Sequence, residues 1–247
     1  MSDFKIGIDY GGTKIEGILI DSNGKEILRK RSTYEKNYES GLNTVKSLVS
    51  EFDKFTNQQN SVGVCIPGFS SYETGLVNNA NCIWINDKPF HKDLEKSLNR
   101  EIRIMNDANC FALSEAIDGS GANYKSVWGV IIGSGFGGSF VYEKKVIEGV
   151  NQIAGDWGHQ PLPYPTEEEI NSNVQCNVGN CKRPLCAEQF ISGIGFTKLF
   201  NEKYGTSLRT REIVALEANG DERAKKEFEL YEDRFARLIS VMIGVVD

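Results

Sequence analysis

Several things are missing from this sequence of 247 residues, and each absence removes a class of function. No apolar run approaches the roughly 20 residues that cross a bilayer. Met1–Ile8 also lacks the basic-then-apolar layout of a secretory leader, so a cytoplasmic protein with no membrane partner is expected. Lys and Arg number 28 against 34 Asp and Glu, a net charge of −6. The basic surface that neutralises phosphates is lacking, and no nucleic-acid partner is expected. The P-loop pattern G-x-x-x-x-G-K-[ST] does not occur, and no low-complexity linker divides the chain. Six cysteines in a reducing compartment read as free thiols or metal ligands rather than disulfides. What remains is a globular composition, 40% hydrophobic and 25% charged, long enough for a sizeable core and two α/β lobes.

The chain opens as strand, turn, strand: "FKIGID", "YGGTK", "IEGILID". "SNGK" then turns into "EILRKRST", Asn-Gly being a strong hairpin signal. Leu42, Val45, Leu48, Val49, Phe52 and Phe55 recur at helical spacing, which predicts an amphipathic helix over about 40–56. A strand "SVGVCIPG", a helix "HKDLEKSL" and a strand "REIRIMND" follow, and the next helix begins at "MNDANCFALSEA". A second strand–glycine turn–strand unit, "SVWGVIIG", "SGFGG", "SFVYEKKVIEG", echoes the first. The echo predicts a duplicated fold with a cleft between an N-terminal lobe, 1–118, and a C-terminal lobe, 119–247. Helices are expected near 187–204, 210–218 and 221–244.

Residues 133–138, "GSGFGG", satisfy G-x-G-x-x-G, but a strand rather than a helix follows, so the dinucleotide-binding reading fails on context. A glycine turn between strands is either a plain hairpin or an anion nest of converging N–H groups. Two such turns could grip one polyphosphate, with Lys14 adding a point charge and Asp9 holding magnesium through water. Asp107 likewise has two readings from its position, a helix cap or a base facing a ligand at the carboxyl end of a strand.

"GIDYGGTK" at 7–14, "IPG" at 66–68, "NDANC" at 106–110, "GSGFGG" at 133–138, "DWGH" at 156–159 and "CKRPLCAE" at 181–188 occur in order. Together they resemble the ROK family of sugar kinases, most of all its fructokinase/mannokinase branch, with N-acetylglucosamine kinase as the runner-up. The resemblance implies an actin-like, ribonuclease-H-like pair of α/β lobes and transfer of the γ-phosphoryl of Mg-ATP to a hexose, with fructose as the expected acceptor. It implies phosphate contacts from Asp9, Gly11, Gly12, Thr13 and Lys14, and from Gly133, Ser134, Gly135, Gly137 and Gly138. It implies sugar contacts from Gly68, Asn81, Asn106, Asp107, Asp156, His159 and Glu188, with Asp107 as the general base. A homodimer is the assembly it implies. Asp156 stands where the family usually has Glu. Family members continue past "GVVD" into a strand, an adenosine-contacting glycine turn and a helix, so the resemblance implies an incomplete C-terminal lobe.

His159, Cys176, Cys181 and Cys186 supply one imidazole and three thiolates, a set suited to a closed tetrahedral structural zinc site within a loop over 156–188. The family usually reads C-x-C-x4-C, so Cys181 and Cys186 match it and Cys176 lies farther upstream. Zinc held by His159 would orient its ring, leaving the other nitrogen for a sugar hydroxyl. Cys65, Cys82 and Cys110 read as small core or near-site residues. His91 reads as an exposed residue at a polar helix start.

Overall fold

The computed structural model describes residues 4–155, 157–172, 174–176 and 181–246. The chain divides into two compact units, Met1–Phe111 with Glu148–Ile153, and Ala112–Ile147 with Ala154–Asp247. The division falls inside a helix, upstream of the expected boundary at 118, and the strap 148–153 belongs with the first unit.

The first unit contains β1 (Phe4–Tyr10), β2 (Lys14–Asp21), β3 (Glu26–Thr33), α1 (Tyr38–Thr56), β4 (Ser61–Ile66), β5 (Phe69–Ser70), β6 (Val77–Asn78), α2 (Phe90–Leu98) and β7 (Arg103–Asn106). Five strands form one sheet in the order β3-β2-β1-β4-β7. β1, β2 and β3 pair antiparallel, whereas β1, β4 and β7 run parallel. Asp9 lies opposite Cys65, and Ile66 opposite Asn106. The carboxyl ends of the three parallel strands therefore deliver Asp9, Gly68 and Asp107 to one end of the sheet, where open α/β sheets bind ligands. The predicted helix forms α1. Asn37 caps it, its side chain accepting from Ser40 N at 2.8 Å, and Leu42, Val45, Leu48, Val49 and Phe52 are buried on one face.

α3 (Asp107–Ile117) crosses the division. The second unit then contains β8 (Ser126–Ile132), β9 (Phe136–Tyr142), β10 (Lys145–Val146), α4 (Glu167–Asn171), α5 (Ala187–Ile191), α6 (Gly193–Tyr204), α7 (Thr210–Ala218) and α8 (Glu222–Val246). Its strands form an antiparallel sheet, β10-β9-β8. Glu143 and Lys144 close the β9–β10 hairpin with φ of 48° and 62°, the left-handed pair a two-residue turn requires. Phe136, Trp157, Leu162, Phe190, Ile191 and Leu238 form its core.

The helix expected over 187–204 is broken. Ser192 adopts an extended backbone, ends α5 and caps α6, its hydroxyl accepting from Gly195 N at 3.0 Å. On the α8 stripe, Tyr231, Phe235 and Met242 pack with Leu238, while Phe228 joins a neighbouring cluster with Phe196 and Phe200. α4 is clamped to α8 through Glu169, a buried carboxylate that meets Arg234 at 2.7 Å and Arg237 at 2.8 Å. Among the described residues no helix is long and apolar enough to cross a membrane.

Candidate active site

In the first unit, the expected site residues gather around a glycine that nothing larger could replace. Gly68 has a φ of 73°, and a Cβ there would lie 2.3 Å from the Asn78 carbonyl oxygen. Asn106 Nδ2 donates to the Gly68 carbonyl at 2.8 Å, tying the turn after β4 to the end of β7. The other amide atom of Asn106 caps α3, its Oδ1 accepting from Ala108 N at 2.9 Å and Asn109 N at 3.2 Å. The cap is therefore Asn106 rather than Asp107. β7 runs to Asn106 before the helix starts, so that side chain reaches the N–H groups of both Ala108 and Asn109 in the first turn.

Asp107 is thereby released from capping duty. It is solvent-accessible at the head of α3, and one carboxylate oxygen accepts from Ala108 N at 2.8 Å. Desolvation by the protein packed around the carboxyl holds it above the ordinary Asp range, and the nearby Asp9 charge adds to this against the Ala108 hydrogen bond. Asp9 is exposed at the end of β1, where the Cys65 thiol donates to its Oδ1 at 3.4 Å.

The first glycine turn joins β1 to β2. Gly11 N donates to the Lys14 carbonyl at 3.1 Å, and the Tyr34 hydroxyl donates to the Gly11 carbonyl at 2.8 Å. Thr13 and Lys14 are exposed beside it. A Cβ on Gly12 would touch the Cys82 sulfur at 3.4 Å, so the loop carrying Asn81 packs alongside. Both amide atoms of Asn86 hold Ala80, at 2.9 and 3.0 Å, which fixes the backbone just before the exposed Asn81. Tyr34 and Asn86 were not legible as supports, because each acts through the backbone of a distant residue. His91 is half-buried rather than exposed, its Nε2 lying 3.1 Å from the Ile102 carbonyl. A cavity of about 610 Å³ opens along β7, reached by Phe69, Ser70, Met105 and Asn106.

In the second unit the glycine turn is Gly133–Gly135, with Gly133 N donating to the Gly135 carbonyl at 2.8 Å. Gly133, Ser134 and Gly135 are exposed. Gly137 and Gly138 lie inside β9, not in the turn. A Cβ on Gly138 would meet the Gly129 carbonyl at 2.3 Å and the Trp157 indole nitrogen at 2.8 Å, so packing accounts for that glycine. Glu188 is buried at the start of α5, and its Oε2 accepts from Phe136 N at 2.9 Å, just after the turn. A cavity of about 420 Å³ adjoins Gly133 and Ser134, walled by Ile132, Ile194, Phe196 and Phe228. Asp156, expected to contact sugar, lies outside the described residues.

His159, Cys176, Cys181 and Cys186 converge, their ligand atoms all within 4.8 Å of one another. Zinc–sulfur bonds of about 2.3 Å and a zinc–nitrogen bond of about 2.0 Å in a tetrahedron place sulfurs about 3.8 Å apart, and sulfur and nitrogen about 3.5 Å apart. The Cys181 and Cys186 sulfurs are 3.9 Å apart, and Cys186 Sγ is 3.5 Å from His159 Nδ1. The donor set and spacing fit a structural zinc. Cys176 reaches the cluster because its N–H donates to the Arg183 carbonyl at 3.1 Å, folding its strand back along 183–185 despite the longer spacing. The His159 ring turns Nδ1 to the thiols and leaves Nε2 on its far edge.

The ROK family profile matches residues 5–247. An N-acetyl-D-glucosamine kinase of Pasteurella multocida is 38% identical over 98% of this chain and 81% of its own length. One from Citrobacter koseri is also 38% identical, over 98% of this chain and 80% of its own. The crystal structure of a ROK hexokinase from Thermus thermophilus superposes with a TM-score of 0.84 at 21% identity, covering 98% of this chain and 78% of that one. A ROK glucokinase from Streptomyces griseus, solved with glucose and AMPPNP, gives 0.75 at 20% identity, covering 99% and 80%. These likenesses show the fold, mixed α/β and actin-like.

Proposed function

The chain belongs to the ROK family, and from that premise we propose that it is an N-acetyl-D-glucosamine kinase that uses Asp107 as its general base. Fructose, the acceptor expected from the sequence, gives way here. Curated relatives 37–38% identical over nearly the whole chain are N-acetyl-D-glucosamine kinases.

The observation that carries the mechanism is the division of labour between Asn106 and Asp107. Asn106 takes both structural duties, the helix cap and the Gly68 tether. Asp107 stays accessible, with burial holding its carboxyl above the ordinary range. A carboxylate so placed accepts the proton of a sugar hydroxyl as that oxygen attacks phosphorus. Gly68, Asn81, Asn106, Asp156, His159 Nε2 and Glu188 serve as acceptor contacts in this reading. A site of paired hydrogen bonds rejects sugars that lack a partner group. Gly11–Lys14 and Gly133–Gly135 offer backbone N–H groups to the polyphosphate of ATP, Lys14 adds charge, and Asp9 would hold magnesium through water. The cavity beside Gly133 suits the nucleoside. Zinc supplies no chemistry here. It would hold the His159 ring and the start of α5 in place.

A coupled assay with Mg-ATP and a panel of N-acetylglucosamine, fructose, glucose and mannose tests this. N-acetylglucosamine should lead in kcat/KM by about tenfold or more. A preference for fructose, or no turnover on any sugar, would overturn it.

A further inference from the structure

We propose that His91 and Glu95 are positioning residues for the reaction: together they clip the backbone at the entry of β7 and so set where that strand delivers Asn106 and Asp107. The proposal rests on the reading of Asp107 as the base. β7 is the outer strand of its sheet and pairs with β4 alone, over four residues. A strand held on one side has backbone groups on the other side that need partners. α2 supplies two of them at Ile102, the residue just before β7. Glu95 Oε1 accepts from Ile102 N at 3.3 Å, and His91 Nε2 lies 3.1 Å from the Ile102 carbonyl oxygen. A ring nitrogen that bonds a carbonyl must carry the proton, so Nε2–H is the donor. The two side chains stand one helical turn apart and approach to 3.5 Å. One helix thus bonds both the N–H and the C=O of a single residue, as a neighbouring strand would.

α2 is a firm base for such a clip. Phe90, Leu94 and Leu98 bury one of its faces in the core, and the Tyr38 hydroxyl on α1 donates to Asp93 at 2.7 Å. Arg100 pairs with Asp53 and donates to the Asn60 carbonyl at 2.8 Å, which places the link between α2 and the sheet. The clip acts two residues later, on the peptide groups that lead directly into the strand. At the far end the Gly68 tether and the α3 cap both act on Asn106. β7 is therefore pinned at its two ends, and Asp107 follows the second pin. Without the clip the entry can shift against β4, and a displacement of about half an ångström at the carboxylate is expected to cost about tenfold in rate.

The test is steady-state kinetics on the purified protein with Mg-ATP and the best acceptor of the sugar panel, well below the melting temperature of every variant. Glu95→Ala should lower kcat about tenfold while KM for the sugar stays within about twofold. Glu95→Gln keeps an oxygen for the Ile102 N–H and should restore kcat to within about twofold of the parent. Placed in Asp107→Asn, Glu95→Ala should cost less than about twofold more, since a clip that acts through Asp107 has nothing left to position. His91→Ala removes the other bond and is read in the same way. Parent-like kcat in both alanine variants, no rescue by Glu95→Gln, or an equal loss in the Asp107→Asn background would each overturn the clip and leave the base reading standing. Turnover of Asp107→Asn at the parent rate would overturn the base reading, and the role of the clip with it.

Discussion

The head of α3 and the cysteine loop before α5 are built on opposite physical terms. Asp107 is a carboxylate held where burial disfavours its charge, on a rigid strand–helix junction that Asn106 secures. His159, Cys176, Cys181 and Cys186 bring four ligand atoms within 4.8 Å of one another, and an ion is what would hold them. In the proposed reading the first region gives up stability to keep a group reactive, and the second would draw stability from a metal that keeps its residues still. A functional residue and a structural cluster can thus be told apart by the sign of their effect on folding.

Zinc removal should break the comparison on the second side with the largest effect. The purified protein should carry about one zinc per chain. Chelation should lower the melting temperature, the ceiling being the apparent binding energy of a structural zinc, on the order of 10 kcal/mol. Elemental analysis and thermal denaturation with zinc re-addition check this. An unchanged melting temperature after complete chelation would contradict the zinc reading.

A smaller effect sharpens the first side. Because the Asp107 carboxyl titrates above the ordinary range in the folded chain, kcat should fall about tenfold per pH unit below that raised value. The sign for stability runs the other way. A carboxyl whose folded pKa is raised favours folding while protonated, and that contribution is lost as pH rises through the raised value. Asp107→Asn should therefore melt at the same temperature as the parent or slightly higher at neutral pH. Acid-limb kinetics and melting curves across pH check both signs.

Most of the fold was legible because period and turn chemistry speak locally. The alternating strands, the α1 stripe from Leu42 to Phe52 and the Asn-Gly turn formed where expected, while Phe55, read as part of that stripe, is exposed. The break at Ser192 was not legible, since Ser-Gly-Ile-Gly is tolerated inside an apolar pattern until a hydroxyl finds the Gly195 N–H. In "NDAN" three residues compete for one cap, and only the length of β7 decides for Asn106. The place of Cys176 in the cluster depended on a fold-back through Arg183 that spacing alone does not encode. The acceptor sugar was least legible. Motifs mark the carboxylate proposed as the base, but they do not choose between fructose and an N-acetylated hexose.

The most direct test of Asp107 as the base is a paired measurement on Asp107→Asn: sugar affinity by calorimetry, and phosphoryl transfer to N-acetylglucosamine with Mg-ATP. The account expects affinity within about threefold of the parent and transfer slower by roughly a hundredfold to ten-thousandfold. Loss of binding and of transfer in equal measure would contradict it and return Asp107 to a structural role.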